Sequence, residues 1–215
     1  KSLSLSLCQE DVPHIAILGS GGGLRAMLGM LGTLVQLGEE ELLDCALYLC
    51  GVSGSTWCMS SLYQDHMWSS NLPAAEKKIS DRLTKGTWSW SEMMKRLKKA
   101  EMDDNFSLTD VWAATGVYYM TKEMDTRKLS EESGTKSENP FPIYAVIDKK
   151  CKQGGLTKAS WFEITPHEAG YSGLGYYVET SHMGSRFKRG ELLENKEEMD
   201  MSYLKGMILL MIVNI

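Results

Sequence analysis

The sequence has no long hydrophobic run and no excess of basic residues. Its apolar C-terminal run, Met207 to Ile215, is nine residues long, whereas a membrane-spanning helix needs about 20. The first residues, KSLSLSL, lack the uninterrupted apolar stretch of a secretory signal. A net charge of −5 over 215 residues argues against nucleic-acid binding and against simple electrostatic adhesion to anionic membranes. These absences predict a soluble, cytoplasmic protein.

Paired cysteines are also missing from the chain. The five cysteines stand at positions 8, 45, 50, 58 and 151, without the C-x-x-C spacing that zinc sites and redox centres use. Reduced thiols agree with an intracellular location. The sequence therefore predicts neither a metal ion nor another cofactor.

Two strand-turn-helix units are predicted near the start of the chain. Residues 14–18 form a short apolar run that stops at Gly19, which is typical of a buried strand. After the next glycines, apolar residues recur at helical spacing from Leu24 onward. Residues 46–50 repeat the strand pattern, and a helix is predicted at 55–63. This alternation predicts an α/β fold, with a parallel or mixed central sheet flanked by helices.

The later segments carry weaker signals. Residues 74–105 are charged and are predicted to be mostly helical and peripheral, while strands are predicted at 143–147 and 161–164. The polar segment 129–139 is predicted to be a surface loop. Beyond Thr165 the chain is rich in glycine and tyrosine, which favours loops over a site rather than core.

A serine lies between the second predicted strand and its helix. The stretch Gly51-Val52-Ser53-Gly54-Ser55 is close to the G-x-S-x-G nucleophile elbow, with Ser55 in place of the last glycine, and it has the strand-turn-helix context that this motif requires. The adjacent helix N-terminus supplies free N–H groups for a developing oxyanion. The alternative is a glycine turn in which Ser53 or Ser55 only caps the helix.

A glycine-rich loop lies between the first strand and its helix. GSGGGLRA, residues 19–26, presents consecutive backbone N–H groups to an anion, and Arg25 adds a fixed positive charge. If the two strands are parallel neighbours, both turns open at the same edge of the sheet. The glycine loop is then placed as an oxyanion hole for Ser53.

The same loop also fits a second reading. Gly21, Gly23 and Ala26 satisfy the dinucleotide pattern G-x-G-x-x-A, and Asp44 follows at about the expected distance of 20 residues. A dinucleotide fold, however, gives no reason for an elbow serine after the very next strand. The two motifs together therefore favour a serine hydrolase.

These motifs resemble one family closely. GSGGGLRA, followed by GVSGSTW, resembles the catalytic domain of the cytosolic, group IV phospholipases A2, in the patatin-like lipase superfamily. The phrases NFSLTDVW, WFEITPHEAGY and HMGSRFKRGEL are also similar to that family, and most similar to its gamma branch. The resemblance extends from about Val12 to Gly206. It identifies residues 1–215 as the N-terminal portion of a single lipase catalytic domain.

The resemblance implies a role for each motif residue. Ser53 corresponds to the nucleophile of a Ser/Asp dyad, Gly22 and Gly23 to the oxyanion-hole donors, and Arg25 to the group that steadies the substrate phosphate. The implied activity is hydrolysis of phospholipid or lysophospholipid acyl esters through an acyl-serine intermediate. The implied partners are the phospholipid substrate and, by peripheral contact, the membrane surface, with no nucleic acid.

Two departures from the family pattern stand out. No motif for the family's catalytic aspartate follows the serine, so this residue is expected to be absent from the chain. The family's tryptophan-glycine-serine stretch after Gly206 is replaced by MILLMIVNI, so residues 207–215 are interpreted as a non-family tail and the catalytic domain as incomplete. The resemblance to the gamma branch, which lacks a calcium-binding lipid-docking domain, implies calcium independence.

Three other residues of the chain could supply a base in place of the missing aspartate. Asp148, after the predicted strand 143–147, is the best-placed internal carboxylate, although a turn residue is the simpler interpretation. His167 and His182 leave a Ser-His-Asp esterase formally open. An inactive, lipid-binding or unstable fragment is the remaining alternative, and its exposed strand edge predicts poor solubility.

Overall fold

A mixed, six-stranded sheet organises the computed structural model, which describes residues 12–102, 106–134, 137–148 and 161–210. The spatial order of the strands is β1-β2-β3-β4-β5-β6. Strands β1 to β3 are parallel, and β4 to β6 continue the sheet in antiparallel pairing. Their bounds are β1 Ile15–Gly19, β2 Ala46–Gly51, β3 Phe141–Ile147, β4 Trp161–Ile164, β5 Glu168–Tyr171 and β6 Tyr176–Glu179. The predicted α/β class, with a mixed sheet flanked by helices, is confirmed.

Seven α-helical segments accompany the sheet in the described part of the chain. They are α1 Leu24–Glu39, α2 Gly54–Leu62, α3 Leu72–Lys85, α4 Trp90–Glu101, α5 Leu108–Trp112, α6 Tyr118–Thr121 and α7 Met201–Leu210. A π-helical turn, Ala113–Val117, joins α5 to α6. The predicted helical character of residues 74–105 is thus confirmed by α3 and α4.

Helix α2 has no solvent-facing side, since all nine of its residues are buried. Its apolar side chains Trp57, Met59 and Leu62 join the core. The serine and threonine hydroxyls on the helix find acceptors on carbonyl groups nearby, which is how polar side chains are accommodated without water.

The sheet is covered on one face. Residues whose side chains point to the covered face, including Leu49, Tyr144 and Ile164, join α1, α2 and α7 in one buried cluster. The neighbouring residues on the other face are half-buried or exposed. Leu18 there is 78% exposed and Trp161 is 47% exposed. We call this second side the open face.

The prediction of loops beyond Thr165 is wrong. Strands β5 and β6 extend the sheet, and β7 Arg186–Lys188 pairs with β8 Glu191–Glu194 in a separate hairpin. Gly170 allows the close packing of β5 and β6, because a methyl group there would come within 2.0 Å of the Tyr176 carbonyl oxygen. Glycine in this stretch therefore serves strand packing rather than loop conformation.

The predicted loop at 129–139 is also partly wrong. A 3₁₀ turn, Leu129–Glu132, opens this segment, and Leu129 is completely buried in the core. The buried side chain of Leu129 anchors the start of this segment, and the polar residues around it favoured the prediction of a loop.

Helix α7 packs against the back of α2. The Trp57 indole N–H donates to the carbonyl of Lys205 at 3.3 Å. Met207 and Ile208, the first residues of the proposed tail, are buried in the core. The interpretation of residues 207–215 as a non-family tail stays a prediction.

Helices in the described ranges are all too short or too polar to cross a lipid bilayer.

Candidate active site

Ser53 occupies a sharp turn between β2 and α2. Its backbone has φ 53° and ψ −124°, and the side chain is 4% exposed. A non-glycine residue at positive φ is strained, and such strain is typical of nucleophile elbows. The Ser53 side chain makes no capping hydrogen bond to α2, so the alternative in which it only caps the helix is not supported.

The glycine loop lies directly beside this elbow. Strands β1 and β2 are parallel neighbours, and Gly19 is level with Gly51. Both turns therefore open at the same edge of the sheet, as the motif order predicts. A methyl group added to Gly21 would lie 3.1 Å from the Ser53 Cβ atom and 3.5 Å from Oγ.

A second close approach joins the two helix starts. A methyl group on Gly54 would lie 1.9 Å from the carbonyl oxygen of Gly23. Only glycine at position 54 permits this contact, so the neighbouring loop requires the glycine that directly follows Ser53. The first turns of α1 and α2 are in consequence held side by side.

The two predicted oxyanion donors both adopt backbone conformations that favour glycine. Gly22 has φ +140°, and Gly23, at the cap of α1, has φ +61°. Because Gly23 has no side chain that could cap α1, the first N–H groups of this helix are left for an acceptor from outside it. This arrangement can stabilise negative charge next to Ser53.

Arg25 is exposed in the first turn of α1. It lines a groove of about 460 Å³ that runs along the outer side of β1 and α1. The groove is walled by Ile17 and Met30 and reaches the glycine loop at Gly22. A cationic side chain above an apolar groove suits an amphiphile with an anionic group.

Hydrogen bonds fix the elbow to the glycine loop. The Val52 N–H donates to the Gly19 carbonyl at 3.1 Å. The Ser55 hydroxyl donates to the Ser20 carbonyl at 2.6 Å. The Thr56 hydroxyl and N–H both donate to the Ser53 carbonyl. The sequence indicates Ser55 only as a possible cap, and its long-range bond to Ser20 has no local signal.

Asp148 follows β3 at the sheet edge that carries Ser53. The carboxylate is buried and accepts a hydrogen bond from the Tyr171 hydroxyl at 2.6 Å. Within the described ranges, no side chain hydrogen-bonds to the Ser53 hydroxyl. Asp148 is thus engaged elsewhere, which agrees with a structural role.

The histidines offer no base for Ser53 either. His167 stacks on Phe141, with ring centroids 5.7 Å apart, at the start of β3. This position is the end of the sheet opposite to the elbow. His182 lies 3.5 Å from the Glu179 carboxylate on the surface. The esterase triad is therefore not assembled.

Asp44 removes the main support for dinucleotide binding. It lies in the turn before β2, at the amino end of that strand. The ribose-binding carboxylate of a dinucleotide fold follows the carboxyl end of the strand. Asp44 and the glycine loop are consequently at opposite ends of the sheet.

A buried charge network supports the back of α2. Glu123 accepts from Lys205 at 2.9 Å and pairs with Arg82 and Ser61. Burial raises the pKa of Glu123, but the Lys205 and Arg82 cations outweigh burial and lower this pKa to about 2. The carboxylate stays ionised at neutral pH, and it links α2 to α3 and α7.

Comparisons with known proteins agree with this geometry. Residues 15–211 match the family model of the lysophospholipase catalytic domain. Human cytosolic phospholipase A2 gamma is 39% identical over 203 residues, which are 92% of this chain and 37% of that protein. Mouse cytosolic phospholipase A2 zeta is 40% identical over 215 residues, covering 95% and 25%.

A solved structure is similar over the same region. Human GIVD cytosolic phospholipase A2, in complex with methyl gamma-linolenyl fluorophosphonate inhibitor and terbium chloride, superposes with a TM-score of 0.80 at 30% identity. The match covers 95% of this chain and 31% of that structure. The chain thus spans roughly a quarter to two-fifths of the length of these proteins.

Proposed function

The chain belongs to the cytosolic phospholipase A2 family of lysophospholipase catalytic domains, and we propose that it carries the nucleophilic half of a phospholipid acyl-ester hydrolase. The observation that carries this proposal is the contact between the strained Ser53 turn and the glycine loop. Two parallel strands deliver a serine and an N–H-rich loop to one point, where acyl transfer needs both.

The proposed reaction has two steps. Ser53 Oγ attacks the ester carbonyl carbon, while its proton passes to a carboxylate base. The carbonyl oxygen becomes an oxyanion, which accepts hydrogen bonds from the Gly22 and Gly23 N–H groups. The C–O bond breaks, and the lysophospholipid leaves as an alcohol with the proton from the base. Water then attacks the acyl-serine, releasing the fatty acid and restoring Ser53.

The base in this proposal is an aspartate that completes a Ser/Asp dyad. No motif in these 215 residues matches it. The engagement of Asp148 with Tyr171 and the remote position of His167 support a base that lies outside this set of residues.

Arg25 is proposed to steady the substrate phosphate. Its guanidinium can form two parallel hydrogen bonds with phosphate oxygens, and its position at the mouth of the groove leaves it free to do so. The acyl ester would then lie toward Gly22 and Ser53.

Peripheral contact of a cytoplasmic protein with the membrane is part of the proposal. Gly51 is level with Tyr144, and β3 continues three residues further, to Ile147. The sheet therefore projects about 10 Å beyond the elbow. Exposed Trp161, Leu174 and Tyr176 lie at this end, and aromatic side chains favour the membrane interface.

A second candidate function is an inactive lipid-binding fragment. It is favoured by the Ser53 hydroxyl, which has no basic partner in the part of the chain that the structure describes. Binding without hydrolysis would need only the groove and Arg25.

Covalent labelling separates the two candidates. The chain and its Ser53→Ala variant are treated with a fluorophosphonate probe, and fatty-acid release from phosphatidylcholine vesicles is measured in parallel. Ser60→Ala, on the same helix but away from the glycine loop, is the matched control. Labelling that Ser53→Ala loses and Ser60→Ala keeps supports the nucleophile.

The hydrolysis assay then tests the base. Labelling without fatty-acid release agrees with a dyad whose aspartate is supplied separately. Rapid hydrolysis by these residues alone contradicts that assignment, because a base must then lie within the chain. No labelling of any variant favours the inactive fragment.

A further inference from the structure

The Ser55 hydroxyl is buried at the junction of the elbow and the glycine loop. Ser55 is 1% exposed, and its Oγ atom donates to the Ser20 carbonyl at 2.6 Å, across 35 positions of sequence. A methyl group on Gly19 would come within 2.7 Å of both Cβ and Oγ of Ser55. The residue thus fills the space beneath the first peptide of the glycine loop.

That first peptide would otherwise rotate easily. Ser20 is followed by three glycines, whose φ and ψ angles are restricted much less than those of other residues. Gly22 and Gly23 already occupy positive-φ conformations that differ from each other. A loop of this composition has several backbone arrangements of similar energy, and only some of them direct N–H groups at Ser53.

The hydrogen bond from Ser55 selects one arrangement. In a trans peptide the carbonyl and the following N–H point in opposite directions. Holding the Ser20 carbonyl against α2 therefore turns the Gly21 N–H away from α2, and it sets the direction from which the next two peptides begin. Because α2 is buried along its whole length, the donor itself is fixed.

We propose that Ser55 is a positioning residue. Its hydroxyl donates to the Ser20 carbonyl and thereby holds the glycine loop in its oxyanion-binding conformation. This inference deepens the proposed function and rests on it, since the loop matters for catalysis only if Ser53 is the nucleophile. In this assignment Ser55 acts through the glycine loop and takes no part in bond making or breaking.

The first test is the kinetics of covalent labelling. Ser55→Ala removes the hydroxyl without adding volume, and Ser60→Ala is the matched control, since Ser60 is equally buried on α2 but donates within the helix, to Trp57. The maximal rate of fluorophosphonate labelling should fall about tenfold to a hundredfold in Ser55→Ala, with half-saturating probe concentration little changed. Ser60→Ala should label like wild type.

A second measurement does not depend on reactivity. Amide hydrogen exchange at Gly21, Gly22 and Gly23 should accelerate by about tenfold or more in Ser55→Ala, because the loop loses its anchor. Exchange at these amides should be unchanged in Ser60→Ala. If both variants lower the melting temperature by the same amount, a general loss of stability does not account for a difference in exchange.

The outcomes distinguish the two proposals. Equal labelling rates and equal glycine exchange in Ser55→Ala and wild type overturn the positioning role, as do equal effects in both variants. Failure of wild type to label, with faster glycine exchange only in Ser55→Ala, favours the inactive fragment but leaves the anchor in place.

Discussion

The two faces of the central sheet are similarly apolar but differ in what packs on them. On the covered face, Leu49 and Tyr144 are fully buried under α1, α2 and α7. On the open face, Leu18 of the neighbouring strand is largely exposed, and Cys50 is half-buried. Strands that are apolar on both sides are typical of sheets covered twice. An apolar composition thus shows that both faces of a strand can be buried, whereas the packing of helices decides which face is buried.

The elbow belongs entirely to the covered side. Its contacts, from Gly54 to Gly23 and from Ser55 to Ser20, lie between buried helix starts. The groove and Arg25 lie at the free edge of β1 instead. Buried contacts therefore hold the elbow, while the groove that would admit a substrate lies at the β1 edge of the described sheet.

The largest expected effect tests the difference between the faces directly. Leu49→Ala should cost about 3 kcal/mol of unfolding free energy, because it leaves a cavity in the core. Leu18→Ala, on the adjacent strand, should cost less than about 0.5 kcal/mol. Urea unfolding of both variants measures this. Similar losses in the two would mean that the open face is packed in solution.

The next effect concerns the junction of elbow and loop. Gly54→Ala should lower the unfolding free energy by about 2 kcal/mol and abolish most fluorophosphonate labelling, because the added methyl group displaces the Gly23 carbonyl. Gly32→Ala is the control, since it lies within α1 with no atom near the added methyl group. It should be stabilised by about 0.5–1 kcal/mol through helix propensity. A thermal melt of each variant decides the signs, and a stable, fully labelled Gly54→Ala would contradict the close approach.

A smaller effect is the pH dependence of stability that the buried carboxyl group of Glu132 causes. Burial raises the pKa of Glu132 from 4.5 to about 7, although Arg127 opposes the rise. Its Oε1 atom pairs with Arg127 at 3.1 Å, but its buried Oε2 atom has no partner in the described ranges, which agrees with the raised pKa. The folded state therefore holds this proton more tightly than the unfolded state.

The contribution of protonated Glu132 to the unfolding free energy is therefore complete below about pH 4.5, and it is lost as the pH rises through about 7. Glu132→Gln mimics the protonated acid, so it should abolish about 1–2 kcal/mol of the loss between about pH 5 and pH 8. Urea midpoints across that range provide the measurement. An unchanged pH slope would show that Glu132 is ionised throughout.

The smallest effect on stability is expected on the open face. Leu18→Lys should change the unfolding free energy by less than about 0.5 kcal/mol, but it should reduce self-association, because it adds a charge to a free edge strand. Light scattering of the two proteins at equal concentration measures this. A wild-type chain that remains monodisperse at high concentration would contradict the predicted poor solubility.

Prediction from sequence succeeded where strong apolar runs meet glycine. The units from β1 to α2 follow from such runs, and parallel pairing brought Ser53, Gly22 and Gly23 to one edge as expected. Strands β5 and β6 were missed because each is four residues long and contains little alternation. Glycine and tyrosine indicate loops by composition, and tertiary packing decided otherwise.

The hydrogen bonds of the site could not be predicted from sequence patterns for a different reason. The bond from Ser55 to Ser20 depends on the rotation of α2 about its axis relative to β1, which no motif encodes. The same holds for the charge network, since Glu123 and Lys205 are 82 positions apart. Long-range polar contacts between helices leave no periodic trace in the chain.

The contact between Trp57 and Lys205 also sets an order of events during synthesis. The donor and acceptor are separated by 148 positions, so at ribosomal rates the indole waits roughly 7–30 s for its partner to emerge. During that interval the helix that carries Ser53 has no α7 against its back. Until α7 has been synthesised, the elbow therefore lacks part of the packing that holds it in place.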